Sequence, residues 1–322
     1  MTLLDVKNLK VSYKTYRGIL KVLDGINLRI EKGEKIGIIG ESGAGKTTTV
    51  KAIMRTLPNN AIIEEGEILF NGRDLLRMDE KTFNLIRRRK FAMIFQDPTA
   101  SLNPVFKVGQ QLVDILKYSK EENRDYDELK EEILQAFKEV MLPDPERVFN
   151  SYPFQLSGGM RQRVCIAIAL ATAQELLIAD EPTTNLDVTI QDQILRLIKD
   201  LVNKKNLSVI LISHALGAVR SMVDRVYVMY EGTIVESAKA DELFKRPKHP
   251  YTVALLRSVP RLTGGGVSQG IKGEMPDYLH PPQGCRFHPR CDYRRDICAS
   301  KRPPATHIGD HCEVFCHLFS SY

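Results

Sequence analysis

The sequence has no apolar run approaching the roughly 20 residues that a bilayer-spanning helix needs. Its longest apolar stretches, Val164–Ala173 and Val209–Ile212, fall far short. The opening residues, Met1-Thr2-Leu3-Leu4-Asp5-Val6, lack the basic head, apolar segment and small-residue cleavage site of a secretory signal. A chain that stays in the cytoplasm is expected. There is no internal repeat, and no uninterrupted basic block is longer than Arg87-Arg88-Arg89-Lys90. That block reads as a solvated helix end rather than a nucleic-acid patch. The formal charge of +6, from 46 Lys and Arg against 40 Asp and Glu, is modest for 322 residues, and no nucleic-acid partner is expected.

What is present fits a soluble globular protein with 43% hydrophobic and 27% charged residues. The length allows one large core and a small satellite, because single cores stop growing near roughly 250–300 residues. Residues 3–12 and 22–31 alternate apolar and polar positions and predict two half-buried strands. Lys35–Ile39, Ile62–Phe70, Phe91–Phe95, Leu176–Ala179 and Val209–Ile212 predict further strands, most of them buried and followed by polar residues. In open α/β sheets the C-terminal strand edge is where ligands bind. From Pro104 to Thr172 the spacing turns helical, as an insertion ahead of the Leu176 strand. After about Val259, Gly264-Gly265-Gly266 and then Pro276, Pro281 and Pro282 mark a linker.

Gly40-Glu41-Ser42-Gly43-Ala44-Gly45-Lys46-Thr47 fits G-x-x-x-x-G-K-[ST], directly after an apolar strand and before a helical stretch from Thr48. The glycines let backbone N–H groups turn inward, and the helix N-terminus adds partial positive charge. Lys46 supplies a point charge to the terminal phosphates, and the Thr47 hydroxyl is offered to Mg²⁺. Leu176-Leu177-Ile178-Ala179 leads into Asp180-Glu181. Such a strand carries two acids to the phosphate edge, where Asp180 can hold Mg²⁺ through water and Glu181 can polarise an attacking water.

Leu156-Ser157-Gly158-Gly159-Met160-Arg161-Gln162-Arg163 stands a short helix before that strand. The order of phosphate loop, Gln96 after a strand, LSGG-type signature, acid pair and His214 after a strand resembles the ATP-binding cassette (ABC) family over residues 1–258. The resemblance implies an α/β P-loop domain with a core sheet, an antiparallel β subdomain and a helical subdomain near residues 97–172. It also implies a head-to-tail dimer in which Ser157, Gly158 and Gly159 close on ATP held by the partner's phosphate loop. By similarity, Gln96 contacts Mg²⁺ and water, His214 touches the γ-phosphate, Asp187 sits at the dimer seam, and Thr48 joins Gly40–Thr47 in the nucleotide site. Tyr13 would stack on adenine, with Tyr16 as a competing candidate because Lys14–Gly18 is an insertion. Two departures stand out: Ala215 replaces the Asp that usually follows the His, and Met160 replaces a frequent Gln.

Six cysteines are present, five of them near the C-terminus, which in a reducing compartment argues for metal or redox chemistry. Lys248-His249-Pro250-Tyr251-Thr252 and the segment Gly284–Cys291, with Cys316-His317-Leu318, resemble the tail of the oligopeptide/dipeptide importer branch. The resemblance implies a module over residues 259–322 whose recurring set is Cys285, Cys291, Cys298 and Cys316, with Cys312 extra. It suggests a [4Fe–4S] cluster; zinc is the alternative, although paired C-x-x-C knuckles are missing. His288, His307, His311 and His317 are further candidate ligands, whereas Cys165 reads as core. The function implied is the ATPase of a peptide importer, peripheral on the cytoplasmic face of the membrane. It would act with a second, like or unlike, ATPase subunit, two permeases and an extracytoplasmic binding protein. Transport of nickel or another small solute, and a soluble cassette acting on nucleic acid, are the other readings.

Overall fold

Strands are numbered along the chain: β1 (Thr2–Thr15), β2 (Gly18–Glu31), β3 (Lys35–Ile39), β4 (Ala61–Phe70), β5 (Arg73–Asp74), β6 (Phe91–Ile94), β7 (Leu176–Asp180), β8 (Ser208–Ile212), β9 (Arg225–Tyr230), β10 (Thr233–Lys239), β11 (Thr306–His307) and β12 (Glu313–Val314). The structure is a computed structural model that describes residues 1–120, 124–183, 188–258, 270–275, 277–309 and 312–320. It divides into two units, the first made of Met1–Glu31, Lys35–Arg77 and His214–Tyr322, the second of Lys32–Glu34 and Met78–Ser213.

In the first unit, alternating apolar residues make β1 and β2 a long hairpin closed at Tyr16 and Arg17. Leu4 and Val6, then Leu9 and Val11, are buried. The phase slips between the two pairs because Asn8 takes a left-handed φ of 46° and the register shifts there. Gly66, opposite the slip, has no room for a Cβ, which would stand 2.7 Å from the Leu9 Cα. With β4 and β5 these strands form an antiparallel sheet in the order β2-β1-β4-β5. A second sheet of this unit runs β3-β9-β10-β12-β11, with β3 parallel to β9 and the later pairs antiparallel. β9 takes up the apolar run Val226–Tyr230, and after the turn at Glu231 and Gly232 the chain returns as β10; neither strand is among those expected from the sequence.

In the second unit β6, β7 and β8 lie parallel, and every residue of β7 and β8 is buried, as expected of strands covered on both faces. Helices Val108–Lys120, Tyr126–Glu139, Pro145–Asn150 and Gly158–Thr172 fill the chain between β6 and β7. Leu112 and Leu116, then Leu129, Ile133 and Phe137, are buried at helical spacing. Gly109 is fixed by packing, since a Cβ there would meet the Phe149 ring at 2.5 Å. Cys165 is buried on the Gly158–Thr172 helix, and burial pushes its thiol up to about 12.

The Arg87–Lys90 run does end a helix, Glu80–Lys90, but it is half-buried rather than solvated. Arg88 lies 5.0 Å from the centre of the Tyr118 ring, and Lys90 pairs with Glu175 at 2.8 Å. Long basic side chains cover apolar surface with their stems, so charge density alone overstated their exposure. No described helix is long and apolar enough to cross a membrane.

Candidate nucleotide site

The first unit carries the phosphate loop between β3 and the helix Lys46–Ile53. Gly40 has φ 154°, and any side chain there would collide with the Met229 carbonyl. Gly45 caps the helix with a left-handed φ of 101°, a conformation glycine adopts without a Cβ penalty. Ser42 and Gly43 are exposed, Ala44, Gly45 and Lys46 buried, and Thr47 and Thr48 half-buried. The Lys46 ammonium donates to the carbonyls of Gly40 and Glu41 at 2.9 Å each, so the loop itself holds the cation in place for an incoming anion. The Tyr13 hydroxyl lies 3.5 Å from Thr48 Oγ1, whereas Tyr16 is 95% exposed at the hairpin tip. His214, exposed, also belongs to this unit, just ahead of the helix Leu216–Met222.

The second unit carries the acids and the signature. Asp180 closes β7 and is buried. Glu181 then turns out of the strand with a left-handed φ of 48°, its N–H bonded to the Ile212 carbonyl at 2.8 Å. Backbone strain of this kind in a non-glycine residue is concentrated at functional sites. Gln96 Nε2 donates to Glu181 Oε2 at 2.9 Å, bringing together two residues 85 apart in sequence. Ser157 caps the Gly158–Thr172 helix, accepting from the Met160 N–H at 3.3 Å. Ser157 and Gly158 are exposed and Gly159 half-buried, leaving the helix N-terminus open to an anion. From the same helix, buried Gln162 donates to the Pro182 carbonyl at 2.5 Å and so ties the signature helix to the residue after Glu181. The sequence reading missed that link. Asp187 lies outside the described residues.

In the C-terminal region of the first unit, His249 caps the helix Pro250–Arg257 by accepting the Tyr251 N–H at Nδ1, 3.0 Å away. Burial holds its imidazole down to about 3, so the acceptor nitrogen stays neutral. Cys285, Cys291, Cys298 and Cys316 line one small cavity with Phe287, while Cys312 does not. All are free thiols. Burial pushes the Cys285 thiol up to about 12 and Cys316 up to about 11. Among the described residues no three His, Cys, Asp or Glu side chains converge closely enough to hold a single metal ion. His288 Nδ1 meets the Cys285 carbonyl, and His317 Nε2 the Lys301 carbonyl, at 2.9 Å each, while His307 Nε2 lies 3.7 Å from Glu313 Oε1. His311 lies outside the described residues.

Comparison with known proteins places these features in context. Residues 23–184 match the family model described as ABC transporter, and residues 235–298 match the oligopeptide/dipeptide transporter C-terminal region. An oligopeptide transport ATP-binding protein, OppD, of Bacillus subtilis is 46% identical over 96% of this chain and 86% of its own length. A dipeptide transport ATP-binding protein, DppD, of the same organism is 44% identical over 98% and 94%. Among solved structures, the dimeric post-hydrolysis state of the ATP-binding cassette MJ0796 bound to ADP and Pi gives a TM-score of 0.66 at 28% identity, over 74% of this chain and 99% of that one.

Proposed function

Since the chain belongs to the ABC transporter family of ATP-binding subunits, we propose that it hydrolyses ATP to drive the import of di- and oligopeptides. The observation that carries the reading is the occurrence in one chain of the cassette over residues 23–184 and the oligopeptide/dipeptide C-terminal region over residues 235–298.

In this reading the Gly40–Thr48 backbone and Lys46 cradle the β- and γ-phosphates, and Tyr13 stacks on adenine. Thr47, Asp180 and Gln96 would hold Mg²⁺, which when bound would neutralise phosphate charge. Glu181 takes the proton of the attacking water, and the Gln96 amide on its Oε2 orients the carboxylate. His214 contacts the γ-phosphate, and Asp187 belongs to the seam between subunits. Ser157, Gly158 and Gly159 present their helix N-terminus to a triphosphate held by a second ATPase subunit, so that each chain supplies half of each catalytic site. Two permeases and an extracytoplasmic binding protein complete the importer, with this chain peripheral on the cytoplasmic face.

We further propose that Cys285, Cys291, Cys298 and Cys316 hold a [4Fe–4S] cluster. Support comes from their convergence on one cavity without Cys312. Each thiolate would bind one iron, and the metal charge would offset the burial that raises the Cys285, Cys291 and Cys316 thiols. The cluster organises a loop-rich segment with little core of its own. Anaerobically purified protein should be brown, with about four irons and four sulfides per chain; colourless, zinc-loaded protein overturns the assignment.

The transport reading is tested by uptake. Cells whose only peptide importer contains this chain should accumulate a labelled tripeptide, and Lys46→Ala should abolish accumulation. Unchanged peptide uptake in the variant, with loss of uptake of a metal ion instead, overturns the cargo.

A further inference from the structure

The phosphate loop is gripped from outside by residues that lie beyond position 250. Glu41, the second residue of the loop motif, is held by a bidentate ion pair from Arg290, Nη1 to Oε2 at 2.8 Å and Nη2 to Oε1 at 3.1 Å. The Arg290 side chain is only 4% exposed. It is itself fixed, with Nε on the Lys272 carbonyl at 2.8 Å, Nη2 on the Ile271 carbonyl at 3.3 Å and Nη1 3.4 Å from the Tyr230 hydroxyl. The Glu41 N–H donates to the Tyr251 hydroxyl at 2.8 Å, and the Tyr278 hydroxyl donates to the Gly43 carbonyl at 2.5 Å. Thus the amide and carboxylate of residue 41 and the carbonyl of residue 43 are all engaged by the C-terminal region.

The chemistry of the loop makes one of these contacts consequential. The motif exists to hold a polyphosphate, yet it carries a carboxylate one residue after Gly40. An unpaired carboxylate there opposes anion binding, and in a partly buried setting that repulsion is little screened. A planar guanidinium presented as a fork is the group best suited to neutralise it in a fixed geometry. The same pairing pins the loop, while Tyr278 aims the Gly43 carbonyl at its own hydroxyl and away from an anion.

We propose that Arg290 is a positioning residue for nucleotide binding: it neutralises Glu41 and, with Tyr251 and Tyr278, holds the phosphate loop in its anion-accepting shape. The C-terminal region therefore sets the affinity of the cassette for ATP. This rests on the reading of Gly40–Thr47 as an ATP site, and the test separates the two. The role belongs to ground-state binding, so loss of the pair raises Kd and KM together and leaves kcat nearly unchanged.

The experiment measures binding of a fluorescent ATP analogue, and competition by ATP, ADP and AMP, to the full-length chain. Arg290→Met should weaken ATP by about tenfold, the factor that corresponds to about 1.4 kcal/mol. The loss should shrink from ATP through ADP to AMP, as ligand charge falls. Arg290→Met/Glu41→Gln should recover most of the affinity, which damage to the C-terminal region alone would not allow; Glu41→Gln supplies the remaining corner of the cycle. Tyr278→Phe, which removes a single hydroxyl, should weaken ATP about threefold, a little over half a kcal/mol, and decides the matter if Arg290→Met does not fold. If the wild-type chain binds no nucleotide, the ATP-site reading fails. If the wild type binds but Arg290→Met binds equally well, or its loss persists in the double variant, or a lone soluble Tyr278→Phe is unaffected, the positioning role fails.

Discussion

Gln96 Nε2 donates to Glu181 Oε2 across 2.9 Å, joining a residue two positions past one parallel strand to the residue just past its neighbour. β6 and β7 pair in register, so their C-terminal ends deliver an amide and a carboxylate side by side. That bond fixes one oxygen of the carboxylate, and in the proposed mechanism it orients the group toward the attacking water. Gln96→Ala should therefore lower kcat in the assembled transporter by about tenfold, with ATP affinity changed by less than about threefold. An affinity loss as large as the rate loss would show that Gln96 acts chiefly through Mg²⁺ and nucleotide binding, not through its bond to Glu181.

Ser157 caps its helix through the Met160 N–H at 3.3 Å. Removing the hydroxyl costs about 1 kcal/mol of stability at this helix end. Ser157→Ala should show that modest loss in denaturant unfolding, together with a fall in transporter ATPase activity of more than about tenfold. Ser157→Asp restores the cap but places a negative charge where the proposed dimer receives phosphate. It should regain stability and not activity; equal recovery of both would reduce Ser157 to a capping residue.

Ala215 stands at the N-cap of the helix Leu216–Met222 and makes no side-chain cap bond. Ala215→Asp should raise stability by about 1 kcal/mol by accepting an orphan N–H of the first turn. Circular dichroism through a denaturant titration checks this, and an unchanged midpoint contradicts it.

Glu231, in the turn between β9 and β10, is 0% exposed, and neither carboxylate oxygen has a hydrogen-bond partner among the described residues. Burial pushes its carboxyl up to about 7, against 4.5 ordinarily, with Arg286 opposing the shift. The folded protein therefore keeps this proton where the unfolded chain has lost it. Its contribution to stability is full below about pH 4.5 and is lost as pH rises through about 7. Glu231→Gln should be more stable than wild type by on the order of 2–3 kcal/mol at about pH 8, and close to wild type at about pH 5. A gain of equal size at both pH values would exclude proton linkage as its cause.

The parts legible in the sequence are those with local signatures. β1 to β4 and β6 to β8 follow apolar runs that end in turn residues, and Gly40, Gly45 and Lys46 follow from a motif whose spacing is dictated by phosphate. The half-buried state of Arg87–Lys90 was illegible because a guanidinium stacked on Tyr118 has the same one-letter code as one in water. The Arg290–Glu41 pair spans 249 positions, and nothing local to either residue announces the other. The same holds for Gln162, a signature-helix residue whose contact with Pro182 exists only after the chain has folded. The four-cysteine cavity lies between these extremes: its members came from resemblance, and their convergence from the fold.

The most direct test of the catalytic account is single-turnover hydrolysis by Glu181→Gln in the purified, assembled transporter, measured beside ATP binding. The substitution keeps shape and hydrogen bonding and removes the carboxylate proposed as the base. ATP should still bind within about threefold of wild type, and hydrolysis should fall by at least about a hundredfold. A wild-type rate of hydrolysis with normal binding would contradict the assignment of Glu181 and the mechanism built on it.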